Sequence, residues 1–211
     1  FEGKYVKRDI KKLIHYLELA SIKNCPNAQY NLGVLYFKGE YVARDIKKAI
    51  YYWSLAAVQK YPEAQYYLGL IYLNGIYITR NTNKAINYFI QAAAQNCSKS
   101  QYVLGLMHIH GDFINKDMIK GIDYLIQSSY NKEIKAHFLV GYFYHEGKYV
   151  QNDIEKILKY YKEGSSFNDQ YAKNNLGIIY KNGFGEKIGK NIGIAISYFE
   201  EAIRMKDDIL S

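Results

Sequence analysis

The stretch AQYNLGVLYFKGEYVARDIKKAIYYWSLAAVQKYPE, Ala28–Glu63, is replayed as AQYYLGLIYLNGIYITRNTNKAINYFIQAAAQNCSK, Ala64–Lys99, at a spacing of 36 residues. The frame continues from Ser100 and from Ala136, and a last copy runs from Ala172 with a loop two residues longer than its counterparts and a C-terminal tail. Upstream, residues 1–27 read as the second half of one more copy, because GKYVKRDIKKLIHYLELA falls on GEYVARDIKKAIYYWSLA. Self-similarity at a fixed period of this size marks an array whose neighbouring units share their core. The expected organisation is one array: 1–27, 28–63, 64–99, 100–135, 136–171 and 172–211. Phe1 falls inside a copy, so the chain is expected to be part of a longer protein.

Each copy divides at a glycine. Ala28–Phe37 carries apolar residues at helical spacing, Lys38-Gly39-Glu40 interrupts it, and Asp45 opens a second helical run through Val58. Asp9, Asp45, Asp117 and Asp153 fill that opening position, with Asn81 and Asn191 in its other copies. Both residue types cap a helix by accepting from the free amides of its first turn. Gly39, Gly75, Gly111, Gly147 and Gly183 stand after the first helix, where a left-handed residue is cheap only for glycine. Pro26 and Pro62 suit a first helical turn. One leading helix and five pairs give eleven helices. A second glycine lies inside every first helix: Gly33, Gly69, Gly105, Gly141 and Gly177. It costs about 1 kcal/mol of helix propensity against alanine, so a packing reason is expected, with Ala56-Ala57, Ala92-Ala93 and Ser128-Ser129 as the facing flat surface.

The frame A-x-x-x-L-G-x-x-Y-x-x-G followed by D-x-x-K-A-x-x-Y-x-x-A-A resembles the Sel-one-like repeat, a relative of the tetratricopeptide repeat, over nearly the whole chain. The resemblance implies an all-α fold: a right-handed α-solenoid of antiparallel helix pairs whose concave side typically holds protein partners. Two features depart from the family. Tyr41, Tyr77, Phe113 and Tyr149 stand where a second loop glycine is common, and the last loop, Gly183–Asn191, is enlarged. Some cysteine-rich members have been assigned hydrolytic activity toward antibiotics; Cys25 and Cys97, the only two cysteines, argue against that group.

Those cysteines lie two repeats apart, beyond the roughly 7 Å Cα limit of a disulfide, and are expected to be free thiols, which favours a cytoplasmic location. A net charge of +8 favours an acidic partner. Lys12, Lys48, Lys84, Lys120 and Lys156 share one repeat position and are expected on a solvated outer side. The sequence holds no apolar run long enough to span a membrane, so no membrane insertion is expected. Most of the 24 tyrosines recur in the frame, which makes them packing residues with hydroxyls at the rim.

Catalytic, metal and cofactor chemistry finds little support. Gly183–Asn191 has Phe184 where a phosphate loop needs its first glycine and Asn191 where it needs Ser or Thr. His108 and His110 are two residues apart, on different helix faces, and His108 occupies the frame position of Tyr36 and Tyr72. No catalytic residue, metal site or cofactor is assigned, and the chain is read as no enzyme.

A binding surface follows from the frame. With Ala28 as position 1, positions 2, 5, 6 and 9 (Gln29, Leu32, Gly33, Tyr36) barely change between copies and are expected to face the second helix. The opposite stripe, positions 0, 4, 7 and 11, varies. It supplies Asn31 and Lys38 in the first full copy; Tyr67, Leu70 and Asn74 in the next; then Leu106 and His110; Leu139, Tyr142 and Glu146; and Asn175 and Ile178. Position 0 adds Asn27, Glu63, Lys99, Lys135 and Tyr171. A non-repeating ligand demands variation of a repeating frame, and this mixture of apolar and polar residues suits an interface. The stripe is expected to line the concave groove, and the expected function is a non-catalytic scaffold or adaptor holding a protein or peptide there. Single-stranded RNA binding, made less favoured by the L-G step and the period, and a regulatory segment of a larger enzyme are the alternatives. Uncovered end faces at Ile10, Leu13, Leu17 and Ile203 are expected to allow self-association.

Overall fold

The computed structural model describes residues 6–207. Eleven α-helices run through them: α1 Val6–Ile22, α2 Pro26–Lys38, α3 Ile46–Val58, α4 Pro62–Asn74, α5 Thr82–Ala93, α6 Ser98–His110, α7 Met118–Tyr130, α8 Ile134–Glu146, α9 Ile154–Ser166, α10 Gln170–Asn182 and α11 Ile192–Asp207. The number matches one leading helix and five pairs. The only strand-like feature among the described residues is an isolated antiparallel bridge, Phe184 to Ile188, inside the enlarged last loop. Contacts gather the chain into two compact units, Phe1–Ser100 and Gln101–Ser211.

Local chemistry sets the helix boundaries. Asp45, Asn81, Asp117, Asp153 and Asn191 each accept a hydrogen bond from a first-turn amide. Four of these residues also donate their own N–H to the preceding helix: Asp45 to the Tyr36 carbonyl, Asn81 to Tyr72, Asp117 to His108 and Asn191 to Tyr180, at 2.7–3.0 Å. Asp9 departs from this pattern. α1 extends back to Val6, so Asp9 lies within the helix; no described helix precedes it to hold its amide and stop the helix there. The five glycines after the first helices all have φ between 67° and 79°. Turns after the second helices use left-handed residues other than glycine, three asparagines and two lysines. Asn24, Lys60, Asn96, Lys132 and Asn168 adopt φ of 58–66°, and the next residue's amide donates back into the helix, as from Tyr61 to the Ala56 carbonyl at 3.0 Å.

In the first unit α2 packs on α3, α3 on α4 and α4 on α5. The core gathers Ala49, Trp53, Ala56, Ala57, Ala64 and Leu68, all buried. In the second unit α7 packs on α8, α8 on α9, α9 on α10 and α10 on α11, around Leu125, Val140 and Tyr160 in one cluster and Ile157, Tyr161 and Leu176 in another. The helical glycines do receive their partner helix, but not its small pair. A Cβ on Gly33 would strike the Trp53 indole, on Gly69 the Phe89 ring, on Gly141 the Tyr161 ring and on Gly177 the Phe199 ring. Only at Gly105 is the obstacle partly backbone, the Gly121 carbonyl oxygen at 3.0 Å beside Leu125. Each glycine is a seat for a large side chain, while Ala56 and Ala57 are buried in the core shared with Ala64 of the next copy. Positions 5, 6 and 9 face the second helix as expected: Leu32 and Gly33 are buried and Tyr36 stacks on Tyr52, centroids 5.8 Å apart.

Position 2 forms a buried polar series: Gln29, Gln65, Gln101, His137 and Lys173. The glutamines accept from Gln59, Gln95 and Asn131, which all occupy one later position of the frame, at 2.7–2.9 Å. At His137 the partners change to the Glu133 carbonyl, 2.9 Å from Nδ1, and the Glu163 carboxylate, 3.6 Å from Nε2. Lys173 pairs with Glu201 at 2.9 Å. The lysine column is exposed, as expected, yet ordered on aromatic faces: Lys48 lies 4.9 Å from the Tyr36 ring centre, Lys84 4.3 Å from Tyr72 and Lys156 4.9 Å from Tyr144.

Candidate binding surface

In the first unit the variable stripe lies on α2 and α4. Asn31 is half-buried and donates to Asn27 Oδ1 at 2.7 Å, while Lys38 is exposed with its ammonium 3.4 Å from Glu40. Tyr67 stacks on Trp53 at 4.7 Å and 13°, and stands 6.1 Å from Tyr30, so its ring packs between copies before it can meet a ligand. Burial, with Tyr67 next, pushes the Tyr30 hydroxyl up to about 12. Leu70 is half-buried and Asn74 exposed.

In the second unit Leu106 is half-buried and His110 exposed. Leu139 packs from the side against the core of Leu125, Val140 and Tyr160. Tyr142 stands 41% exposed, with Phe138 6.3 Å away; Glu146 is exposed; Asn175 is half-buried, donating to the Tyr171 carbonyl; Ile178 is 37% exposed. Between α8 and α10 lies a cleft of about 430 Å³ whose walls include Leu139, Tyr102, Phe138, Phe167 and Tyr171. Phe138 and Tyr171 lie 5.4 Å apart. The structure thus brings Lys135, Leu139 and Tyr171 of the stripe to one cleft, while Asn31 bonds to Asn27 and Tyr67 stacks on Trp53.

The Sel1 repeat model matches residues 1–25, 26–60, 62–97, 98–132, 134–166 and 170–207. The chain belongs to the Sel1 repeat family. The six family repeats start up to two residues before the copies read from the sequence, at the true start of each first helix. A solved Sel1 repeat protein from Oxalobacter formigenes is similar at 27% identity and a TM-score of 0.81, covering 91% of this chain and 78% of that one. The fold also resembles c5321, a protective antigen present in uropathogenic Escherichia coli strains, at 24% identity and a TM-score of 0.82, with 91% of this chain and 41% of that one covered. Immunity protein Pa5087 from Pseudomonas aeruginosa is more distant, at 20% identity and a TM-score of 0.56 over 92% of this chain and 74% of that one. No curated protein matches.

Sel1 repeats are generally protein-interaction scaffolds and typically non-catalytic. Among the described residues, no helix is long and apolar enough to cross a membrane, and no group of three His, Cys, Asp or Glu could hold a metal. Cys25 and Cys97 are free thiols. The stripe taken from the Sel1 frame missed position 3, where Tyr30, Tyr66, Tyr102 and Phe138 recur. That recurrence reads as core, yet Tyr102 and Phe138 form cleft walls. It also missed Phe167, whose signal was available: an aromatic where the other copies carry Gln59, Gln95 and Asn131.

Proposed function

We propose that this Sel1 repeat chain is a non-catalytic adaptor that holds a protein or peptide partner on the variable faces of its first helices. The observation that carries the reading is the cleft between α8 and α10. Phe167 and Tyr171 remain 47% and 68% exposed beside Phe138, and clustered exposed rings of this kind characterise interface cores. Tyr67, Leu70 and Asn74 would extend contact on the first unit, and Leu106, His110, Tyr142, Glu146 and Ile178 on the second. The net charge of +8 favours a partner that is acidic overall. RNA binding draws less support, because tyrosines available for base stacking are already paired, Tyr36 on Tyr52, Tyr72 on Tyr88 and Tyr144 on Tyr160. Exposed Leu13 and Ile203 would support self-association, which light scattering at rising concentration tests. The partner reading is tested by cross-linking capture with the wild-type chain and with Tyr142→Ala/Tyr171→Ala. The expected result is a partner retained by the first and lost by the second while helicity is unchanged; retention by both overturns the assignment of the surface.

A further inference from the structure

Two in-frame replacements add aromatic rings to the lining of the cleft between α8 and α10. Phe167 stands where Gln59, Gln95 and Asn131 stand, and Tyr171 stands where Glu63, Lys99 and Lys135 stand. In the first unit the position-0 lysine, Lys99, lies 5.9 Å from the ring centre of position-3 Tyr66. In the second unit the position-0 residue beside Phe138 is itself a ring, Tyr171. The result is four aromatic walls, Tyr102, Phe138, Phe167 and Tyr171, around about 430 Å³.

One acid, Asp169, and one base, Lys135, line this cleft in a chain of net charge +8. Asp169 is a lining residue; one of its carboxylate oxygens caps α10 through the Ala172 amide at 2.9 Å, leaving the second oxygen without that duty. The Tyr102 hydroxyl is raised first by burial and then by the carboxylates of Glu133 and Asp169. Lys135 is the single cation among the lining residues. Aromatic faces beside a carboxylate are the chemistry that recognises an organic cation, and a planar guanidinium above all, since it stacks on rings and bonds a carboxylate at once. The chain already holds one guanidinium against two rings, with neutral oxygens as its hydrogen-bond acceptors. Arg44 lies 5.5 Å from the ring centres of both Phe37 and Tyr77, and donates to the Tyr77 hydroxyl at 2.6 Å and to the Phe37 carbonyl at 3.0 Å.

We infer that the cleft bounded by Tyr102, Phe138, Phe167, Tyr171 and Asp169 is a receptor for an arginine side chain of the partner protein. The inference deepens the adaptor reading and rests on it for the source of the arginine. Its test uses the whole chain and the peptide acetyl-Gly-Arg-Gly-amide, followed by NMR at the Phe138 and Tyr171 rings. The matching citrulline peptide keeps the shape and removes the charge, and a glutamate peptide reverses it. The arginine peptide should bind saturably, and the citrulline peptide about tenfold more weakly. Asp169→Asn, which preserves the helix cap, and Tyr171→Ala, at an exposed site, should each weaken binding by about tenfold with the circular dichroism unchanged. Lys135→Gln should leave it unchanged or tighten it. No saturable binding, equal binding of citrulline, preference for glutamate, or indifference to both Asp169→Asn and Tyr171→Ala overturns the inference. Those results would leave the adaptor reading standing, because that reading fails only when a captured partner ignores the stripe variants.

Discussion

Gly33→Ala isolates the contact that recurs through the array. A Cβ at residue 33 would lie 2.9 Å from Trp53 Cε2 and closer still to Cδ1 and Nε1. The indole is fully buried, and its N–H donates to the Tyr30 carbonyl at 3.2 Å, so it cannot swing aside without loss. Overpacking of this kind costs about 1–3 kcal/mol, and losing the indole hydrogen bond about 1 kcal/mol more. Better helix propensity returns about 1 kcal/mol. The net expectation is destabilisation by about 1–3 kcal/mol. Trp53 is the only tryptophan, so its fluorescence reports from the altered site itself. Urea denaturation followed by tryptophan emission should show a lower midpoint and a red-shifted native spectrum. Gly193→Ala is the internal control: its Cβ would meet only Asn191 Oδ1, at 3.6 Å, and should be neutral or stabilising by up to about 1 kcal/mol. If Gly33→Ala behaves like Gly193→Ala, with unshifted emission, the seat-and-ring account of the recurrent glycine is refuted.

The Tyr161 hydroxyl is buried with no partner among the described residues, and Phe89 and Phe199 fill the same frame position. Tyr161→Phe should therefore stabilise by about 1 kcal/mol in the same denaturation assay. Lys173 is buried and paired with the partly exposed Glu201, and also donates to Asn168 Oδ1 at 3.4 Å; Glu201→Gln should cost about 1–3 kcal/mol by leaving the buried ammonium with neutral acceptors only. Lys173→Gln restores the residue of the earlier copies and should cost less than Glu201→Gln, as thermal melts would show. Burial first of all pushes the Tyr30 and Tyr160 hydroxyls up to about 12 from an ordinary 10.0. Their protons are thus held more tightly by the folded state, so their contribution is whole below about pH 10 and is lost as pH rises toward about 12. Tyrosinate absorbance should show these two ionising only as the helical circular dichroism collapses.

What could be read from the sequence was what depends on one residue's own chemistry. Asp45 and Asn81 announce caps because their side chains do the capping, and Gly39 announces a left-handed turn because other residues pay strain there. Lys60 and Lys132 take the same left-handed geometry with no such signal, because backbone bonds from the following amides close those turns. The seat at Gly33 was legible and its occupant was not. A missing side chain marks room, while the residues that fill it, Trp53, Phe89, Leu125, Tyr161 and Phe199, vary too much to look like one position. The recurring small pair Ala56-Ala57 drew the assignment instead. Tyr67 varies between copies as a ligand contact would, and its half-buried ring also packs on Trp53, a contact the frame does not announce.

The buried polar series explains why the cleft opens where it does. At Gln29, Gln65 and Gln101 the side chain needs an amide from the end of the second helix, so residues 59, 95 and 131 are held as Gln, Gln and Asn. His137 meets its needs elsewhere, through the Glu133 carbonyl and Glu163. The requirement for an amide at residue 167 then disappears, and an aromatic there costs no buried hydrogen bond. Phe167 takes the place, with its ring centre 5.7 Å from the His137 imidazole on one side and the cleft on the other. A change of polar partner in the core therefore frees residue 167 to carry a ring that lines the cleft.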